Sequence, residues 1–495
     1  MRSAVSRFPR GRHYALTWGI PDNYGGMTSA MLHRTRAFVA LGGVSVDVLT
    51  LDDRPDYAAV EERLRAAGEL IDGMRLRNLW DELRVKPPSA QRDPISPAAP
   101  LEPADGDRVV RDGDVVLLRE RTDADGRFVA ADRFRRDGTL LATDRSVDGR
   151  RVVIVHGEDG EPLRRWGSTW KLYRWWLDRM ITRMPSYLLV DSKTAARFVA
   201  TYRRDHVVTV HIVHGGHRRG DAAGTLRASR EYALRRAADF DLVVVLTARQ
   251  RADLVADGLA GGARVRVIPN GVPLDATAHT RHARGQGVVV ASLTGRKRIE
   301  LAVEAAARAG RERAGIRLDV YGEGPREEAI RARVRADGAE ERIRLHGFLP
   351  DARARFAEAD FSLLTSTSEG LPLVLAEAMA AGCLPIAYDI RYGPADLIKD
   401  GVNGFLVEDG DVDAMADRIV RLQRLPEAKV AAMRRRARDR ALAFSDEAVT
   451  RAWARELGAA RDAKHLADAK EKGALVRARR VLGVVRRRLR ALRAG

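Results

Sequence analysis

Two glutamates, Glu369 and Glu377, lie in the sequence EGLPLVLAE with seven residues between them. The apolar run Phe361–Leu364 before the pair predicts a buried strand, and Leu384–Tyr388 after it predicts another. Pro372 is predicted at the first position of a helix between these strands. The pattern therefore places one carboxylate in a loop and the other about two turns into a helix, roughly 7 Å along its axis.

The predicted helix N-terminus between the two carboxylates suits a phosphate group. Its free backbone N–H groups and the helix dipole both favour negative charge. A carboxylate accepts hydrogen bonds from hydroxyl groups. The layout therefore predicts a pocket for a sugar nucleotide: one carboxylate for the sugar, helix amides for the diphosphate and one carboxylate for the ribose.

The composition indicates a protein of two or three domains, because 495 residues exceed one ordinary domain. No apolar run reaches the roughly 18 residues of a membrane-spanning helix. The apolar stretch near the N-terminus contains His13 and Trp18 and stops at Pro21, so we do not predict a secretory signal. The single cysteine, Cys383, forms no internal disulfide and is predicted to be a small buried hydrophobe. We expect a cytoplasmic protein.

The charge balance favours polyanionic partners, since 87 basic minus 68 acidic residues leaves +19. Residues 471–495 contain nine basic residues and one acid, interleaved with apolar positions. This basic amphipathic tail has three interpretations: a helix on the anionic inner face of a membrane, a disordered tail on a polymeric acceptor, or a nucleic-acid contact. We do not expect nucleic acid, because no aromatic or fold pattern supports it.

The order of predicted elements indicates an α/β protein. Tyr14–Ile20 is predicted as the first strand, and a turn with Gly25 and Gly26 leads from it into a helix. Residues 58–83 have a largely helical pattern. A second α/β series begins at Val288–Ala291. We therefore predict two Rossmann-like, doubly wound lobes that face a cleft, where ligands of such folds bind.

An antiparallel β-meander is predicted to interrupt the N-terminal lobe. The turn triplets ADG, RDG, VDG and EDG recur every 11 or 12 residues between residues 105 and 166. The predicted domains are an N-terminal lobe over 1–275 with this β-insertion, a C-terminal lobe over 276–445, a helix over 446–470 that crosses back to the N-terminal lobe, and the tail over 471–495.

Three histidines, His211, His214 and His217, follow one another in the sequence VHIVHGGHRRG. A zinc site is one interpretation, but no cysteine or carboxylate pattern supports it, and we expect no metal site. A solvated loop is the simpler alternative. The Gly25–Gly26 pair likewise has a simple interpretation as a tight turn.

Five segments occur in the order of a known family's motifs: PNGV, YGEGP, LHGFLPD, EGLPLVLAEAMAAGCLPIAYD and DGVNGFLV. With them the chain resembles the retaining glycosyltransferases of family 4, which have the GT-B fold, over roughly residues 10–460. The resemblance implies a nucleotide sugar as donor substrate, with no cofactor and no divalent metal.

The resemblance also implies a role for each matching position. Glu369 matches the glutamate that contacts donor-sugar hydroxyls and supports the developing positive charge, and Glu377 matches the one that holds the ribose. His214, or as second choice His217, matches a histidine that contacts the donor sugar. Donor-binding backbone positions are Gly25, Gly26, Gly370, Leu371, Pro372 and Leu373.

One departure from the family concerns the cations that neutralise the leaving diphosphate. Lys297 matches the family's lysine, but Ser292 occupies the position of its arginine. Either Arg296 or Arg298 compensates, or the diphosphate binds more weakly. A solvated charge at a helix start is the simpler interpretation of Lys297.

A narrower resemblance concerns the acceptor. YDIRYGP at residues 388–394, WGIPDNYGG near the start and the β-insertion are similar to glycosyltransferases of poly(glycerol-phosphate) and poly(ribitol-phosphate), the wall teichoic acids. This implies transfer of glucose or N-acetylglucosamine from a UDP-sugar to a polymer hydroxyl, and a homo-oligomer, a trimer, built through the insertion. The alternatives are a hexosyl- or mannosyltransferase acting on a lipid or exopolysaccharide precursor, and a non-catalytic, membrane-associated scaffold.

Overall fold

The structure is a computed structural model that describes residues 8–467 and 469, except residues 55, 93, 97, 148, 219–223 and 275–281. The predicted basic tail over 471–495 lies outside the described residues. Two compact units are present. The first unit comprises the described residues of 7–211, 239–242 and 454–469, and the second unit those of 212–238 and 243–453.

The strands are β1 (Arg12–Leu16), β2 (Val46–Thr50), β3 (Met74–Asn78), β4 (Arg108–Asp112), β5 (Val115–Thr122), β6 (Phe128–Phe134), β7 (Leu140–Val147), β8 (Arg150–His156), β9 (Pro162–Trp166), β10 (Ser186–Val190), β11 (Val207–Val213), β12 (Leu242–Val245), β13 (Val265–Val267), β14 (Ala283–Val290), β15 (Arg317–Tyr321), β16 (Ile343–Gly347), β17 (Ala359–Leu364), β18 (Leu384–Tyr388) and β19 (Phe405–Val407).

The helices are α1 (Gly26–Ala40), α2 (Tyr57–Ala66), α3 (Leu79–Val85), α4 (Thr169–Met180), α5 (Lys193–Val199), α6 (Ala228–Arg235), α7 (Ala248–Ala256), α8 (Ile299–Glu312), α9 (Glu327–Ala336), α10 (Leu373–Ala380), α11 (Pro394–Leu397), α12 (Val412–Arg424) and α13 (Glu427–Ala441). Short 3₁₀ helices cover Ala237–Asp239, Ala352–Ala357 and Leu442–Phe444, and residues 446–467 are also helical.

The first unit is organised around parallel strands that pair in the order β11-β10-β1-β2-β3. The register aligns Tyr14 of β1 with Leu188 of β10 and with Asp47 of β2. Every residue of β10 is buried, as expected of a parallel strand that is covered on both faces.

A separate six-stranded antiparallel sheet, with strand order β4 to β9, confirms the predicted β-meander. The glycines of the four turn triplets all have positive φ, between 70° and 84°. That conformation is costly for other residues, so glycine is what allows these tight reversals.

The second unit contains a six-stranded parallel sheet with the order β16-β15-β14-β17-β18-β19, together with the parallel pair β12–β13. β14 and β17 are neighbours, with Val288 aligned to Ser362. Parallel neighbours end at the same sheet edge, so the loops that follow β14 and β17 begin side by side. The predicted α/β class, with two parallel sheets and an inserted antiparallel sheet, is confirmed.

The helical pattern that the sequence shows over much of residues 58–83 is interrupted in the structure. The structure places β3 (Met74–Asn78) between α2 and α3. Alternation within MRLRN, with Met74 and Asn78 buried, marks a short strand, but the strong helix formers around it obscured that pattern.

We predict that His13 makes the free energy of unfolding fall as the pH is lowered from about 6.5 to about 4. The ring is buried, stacks on Tyr187 with centroids 4.8 Å apart, and shares a 3.0 Å hydrogen bond with Pro9 O. Burial lowers the pKa of His13 to about 4. The unfolded chain then binds the extra proton in this window, which costs about 3 kcal/mol of stability at most.

Chemical denaturation of the wild type and His13→Gln across this pH range tests the prediction. His13→Gln should reduce the slope of this pH dependence, with the part due to other buried histidines such as His282 remaining. His465→Gln, at an exposed position, should leave the slope unchanged. A pH dependence identical in His13→Gln and wild type would contradict it.

Candidate functional site

An ion cluster joins the loops that follow β14 and β17 in the second unit. Lys297 Nζ lies 2.6 Å from Glu369 Oε1, and Arg296 Nη1 lies 3.2 Å from Glu369 Oε2. The Lys297 and Glu369 side chains are 16% and 10% exposed, whereas Arg296 is 52% exposed. Water therefore screens the Lys297–Glu369 pair less than the Arg296 contact.

Arg298 fixes the same loops from a different direction. Among the described residues, Arg298 is the only one other than glycine that has a positive φ (48°). It directly precedes α8. Its Nε donates to Thr365 O at 2.8 Å, its Nη2 donates to Ser366 O at 3.0 Å, and it pairs with Asp409. Of the two arginines proposed to replace the family's arginine, Arg296 contacts Glu369, while Arg298 holds the backbone of the β17 loop.

Gly370 occupies a position where only glycine fits. A Cβ atom added there would lie 2.1 Å from the carbonyl oxygen of His214. The loop that carries Glu369 therefore packs directly against the backbone of the histidine segment. The structure thus brings together Glu369, Gly370, Lys297, Arg296 and the His214 backbone.

The backbone around Gly370 leaves amide groups available. Among the described residues, the N–H groups of Gly370 and Leu371 have no hydrogen-bond acceptor. The Leu371 side chain belongs to the buried core, and Leu373 packs against that core. Pro372 has no N–H, so of the predicted backbone positions it alone cannot donate.

Two details of the predicted helix need correction. Pro372 is the residue before α10, not its first residue, with φ −76° and ψ 91°. Glu377 is four residues, or about 6 Å, beyond the first helical residue Leu373, which is close to one turn; the predicted distance of roughly 7 Å also corresponds to little more than one turn of about 5.4 Å, not to two. Extended ψ at Pro372 delays the helix start, which the sequence pattern does not reveal. Glu377 Oε2 pairs with Arg353 Nε at 3.0 Å.

His211 and His217, two of the three histidines, have separate surroundings. His211 Nδ1 contacts Val190 O at 3.2 Å, and the buried His217 Nε2 lies 3.0 Å from Asp257 Oδ2. Burial lowers the pKa of His217, and the Asp257 carboxylate opposes this shift. The described residues contain no group of three or more His, Cys, Asp or Glu side chains that could hold a metal ion.

Gly25 and Gly26 lie in the first unit, at the start of α1. Gly25 has φ −111°, and Gly26 does not have positive φ. A Cβ atom on either glycine would meet no protein atom within 4 Å. Neither turn geometry nor protein packing requires glycine here, so a role in ligand approach stays a prediction.

Several contacts of the site could not be read from residue spacing. Asp409 pairs with Arg298, Arg353 pairs with Glu377, and Tyr392 hydrogen-bonds with the Glu369 backbone. Of these three contacts, only the one made by Tyr392 had a sequence signal, because the YDIRYGP segment placed this residue in a family motif.

We predict that Gly370→Ala disrupts this loop packing, because the new methyl group overlaps the His214 carbonyl. Overpacking of this kind lowers the free energy of unfolding by about 1–3 kcal/mol. Gly295→Ala is the matched control, because its Cβ would meet no atom within 4 Å. Equal urea denaturation midpoints for both variants would contradict the packing.

Comparison with known proteins identifies two families within the chain. Residues 134–276 match Glycosyltransferase Family 4, and residues 283–440 match Glycosyl transferases group 1. Relatives include an exopolysaccharide phosphotransferase of Streptomyces coelicolor, 29% identical over 277 residues that are 56% of this chain and 28% of that protein. The poly(ribitol-phosphate) alpha-N-acetylglucosaminyltransferase of Staphylococcus aureus is 30% identical over 217 residues, 43% of this chain and 42% of that protein.

In both cases the matched segment of this chain thus covers less than half of the relative's own length. A similar solved structure is a variant of S. aureus TarM in complex with fondaparinux, alpha-GlcNAc-glycerol and UDP, with a TM-score of 0.66, 20% identity and coverage of 90% of this chain and 99% of that one. Residues 134–276 and 283–440 are therefore domains of the Glycosyltransferase Family 4 and Glycosyl transferases group 1 families, and the structure has the GT-B fold of the glycosyltransferase structure it resembles.

Proposed function

We propose that this protein transfers glucose or N-acetylglucosamine from a UDP-sugar to a hydroxyl group of a polyol-phosphate polymer, with retention and without a divalent metal. The observation that carries the proposal is the Arg296–Lys297–Glu369 cluster beside the Gly370 and Leu371 amides. The cluster brings cations, free N–H groups and a carboxylate together in the adjacent loops that follow β14 and β17.

The cluster has the charge that a diphosphate leaving group needs. Two cations and one anion (2 − 1) leave a net charge of +1 before any ligand binds. Lys297 and Arg296 neutralise the charge that develops on UDP as the bond between the anomeric carbon and the phosphate oxygen breaks. The Gly370 and Leu371 N–H groups donate to the same phosphates.

Glu369 acts on the sugar in this proposal. Its carboxylate accepts hydrogen bonds from donor-sugar hydroxyl groups and stabilises positive charge near the anomeric carbon. His214 contacts the sugar from the neighbouring segment, and Glu377 holds the ribose once Arg353 releases it. The acceptor oxygen bonds to the anomeric carbon on the face that UDP leaves, and the donor phosphate takes the acceptor's proton.

The acceptor proposal rests on the charge and on the relatives. The chain carries a formal charge of +19, which attracts a phosphate-rich polymer. The S. aureus relative is a poly(ribitol-phosphate) transferase by name, and the TarM structure contains alpha-GlcNAc-glycerol and UDP. The name of the Streptomyces relative includes an exopolysaccharide, so an exopolysaccharide acceptor is the second candidate.

Location and assembly are also proposals. None of the helices in the described part of the chain combines the length and apolar character that crossing a lipid bilayer requires. We propose a cytoplasmic enzyme whose basic tail over 471–495 contacts the inner face of the membrane, and a homo-oligomer formed through the antiparallel sheet. The ion cluster favours an enzyme over a non-catalytic scaffold, because it combines the cations and the carboxylate that the proposed transfer uses.

We predict that Glu369→Gln abolishes transfer but keeps UDP binding, because the amide cannot stabilise positive charge. The loss should exceed about a hundredfold, the scale of removing one preorganised electrostatic group. Wild type and variant would be incubated with UDP-glucose or UDP-N-acetylglucosamine, EDTA and poly(ribitol-phosphate), poly(glycerol-phosphate) or an exopolysaccharide precursor. Product mass and anomeric configuration would be measured.

Glu300→Gln is the matched control, since Glu300 pairs with Arg326 outside the cluster. It should retain wild-type transfer. Turnover by Glu369→Gln equal to that of Glu300→Gln would contradict the role of Glu369. A wild type that is inactive with every donor and acceptor would favour the scaffold.

A further inference from the structure

One face of α7 contacts two segments of the candidate site. Gln250 and Asp253 lie on α7, and Asp257 is the capping residue directly after it. Their spacing of three and four residues puts the three side chains on one face. Gln250 and Asp257 contact the histidine segment, and Asp253 contacts the segment after β18. All of these residues belong to the second unit.

The contacts to the histidine segment fix it at two points. Gln250 Nε2 donates to Gly215 O at 3.0 Å. Asp257 lies 3.0 Å from His217 Nε2 and also pairs with Arg218. His214 directly precedes these anchored residues, so α7 fixes the backbone on which His214 sits.

The contacts to the segment after β18 centre on Tyr392. Its side chain is 1% exposed, and its hydroxyl donates to Asp253 Oδ2 at 2.8 Å. Arg391 Nε lies 2.8 Å from the same oxygen. The Tyr392 ring stacks on His217, with centroids 5.9 Å apart and planes 7° apart. Tyr392 therefore touches both the helix and the histidine that the helix holds.

Tyr392 also holds the Glu369 loop through the backbone. Tyr392 N donates to Glu369 O at 2.9 Å, and Glu369 N donates to Arg391 O at 3.2 Å. The next residue, Gly393, packs so closely that an added Cβ would lie 2.2 Å from Pro372 Cδ. The backbone of Glu369 is thus bonded on both sides to the residues that Asp253 anchors.

We propose that Tyr392 and Asp253 are positioning residues that set the placement of Glu369 relative to the His214 segment. This rests on the proposed transfer function and adds residues that act through the backbones of Glu369 and His214. Asp253 fixes Tyr392, Tyr392 fixes the Glu369 backbone, and the same helix fixes the His214 backbone through Gln250 and Asp257. Small displacements of a catalytic group reduce turnover strongly, so this linkage acts on kcat.

A purely structural role would look different. A buried tyrosine hydroxyl that donates to an aspartate also occurs in the first unit, where Tyr202 donates to Asp178 Oδ1 at 2.9 Å. Tyr202 is likewise 1% exposed. Tyr202→Phe removes the same chemical bond from a tyrosine that has no link to Glu369, which makes it the matched control for Tyr392→Phe.

The experiment compares Tyr392→Phe, Asp253→Asn, their double variant and Tyr202→Phe in the full chain. We expect Tyr392→Phe to lower kcat about tenfold with an unchanged KM for the UDP-sugar. Asp253→Asn should have a similar effect, and the double variant should be no worse than either single variant, since both remove one linkage. Tyr202→Phe should leave kcat at the wild-type value.

Hydrogen exchange of the Glu369 amide gives a readout that does not depend on turnover. We expect this amide to exchange faster in Tyr392→Phe and Asp253→Asn than in the wild type and Tyr202→Phe, because its bond to Arg391 O loses its anchor. If the wild type transfers no sugar, the proposed function is wrong, but the exchange data still show whether Asp253 and Tyr392 hold the Glu369 backbone. Wild-type exchange in both variants, or equal kcat losses in Tyr392→Phe and Tyr202→Phe, would overturn the proposal.

Discussion

The candidate site depends on the ion pair between Lys297 and Glu369, at 2.6 Å and with little solvent exposure on either side chain. An exposed pair contributes about 0–1 kcal/mol, whereas removing one partner of a buried pair costs about 3–5 kcal/mol. This pair lies nearer to the buried case, so each residue fixes the other. In the proposed reaction the lysine is drawn to the diphosphate and the carboxylate to the sugar.

The sheet makes this pair possible. β14 and β17 are parallel neighbours, so the loops that carry Lys297 and Glu369 begin at the same edge. Arg298 then ties the two loops together through the Thr365 and Ser366 carbonyl groups. On the other side, Gly370 lets the loop approach the His214 backbone, and Tyr392 links it to α7. The carboxylate is therefore held by contacts from several elements.

The sequence predicted the elements whose signals are local and periodic. Leu384–Tyr388 was predicted with the bounds that the structure shows, and the regular turn triplets predicted the antiparallel sheet. β3 was missed because helix formers surround its five residues, and the delayed start of α10 depends on the backbone angle at Pro372. Pairings such as Arg298 with Asp409 join residues far apart in sequence, and no spacing rule reveals them.

A crystal structure of the protein with bound UDP tests the central claim most directly. The proposal predicts that diphosphate oxygens lie within hydrogen-bond distance of Lys297 and Arg296. It also predicts that the ribose hydroxyl groups bind Glu377 and that Arg353 is displaced from the Glu377 carboxylate. UDP bound elsewhere, with Lys297 still paired only to Glu369 and Arg353 still on Glu377, would contradict the assignment of this cluster as the donor site.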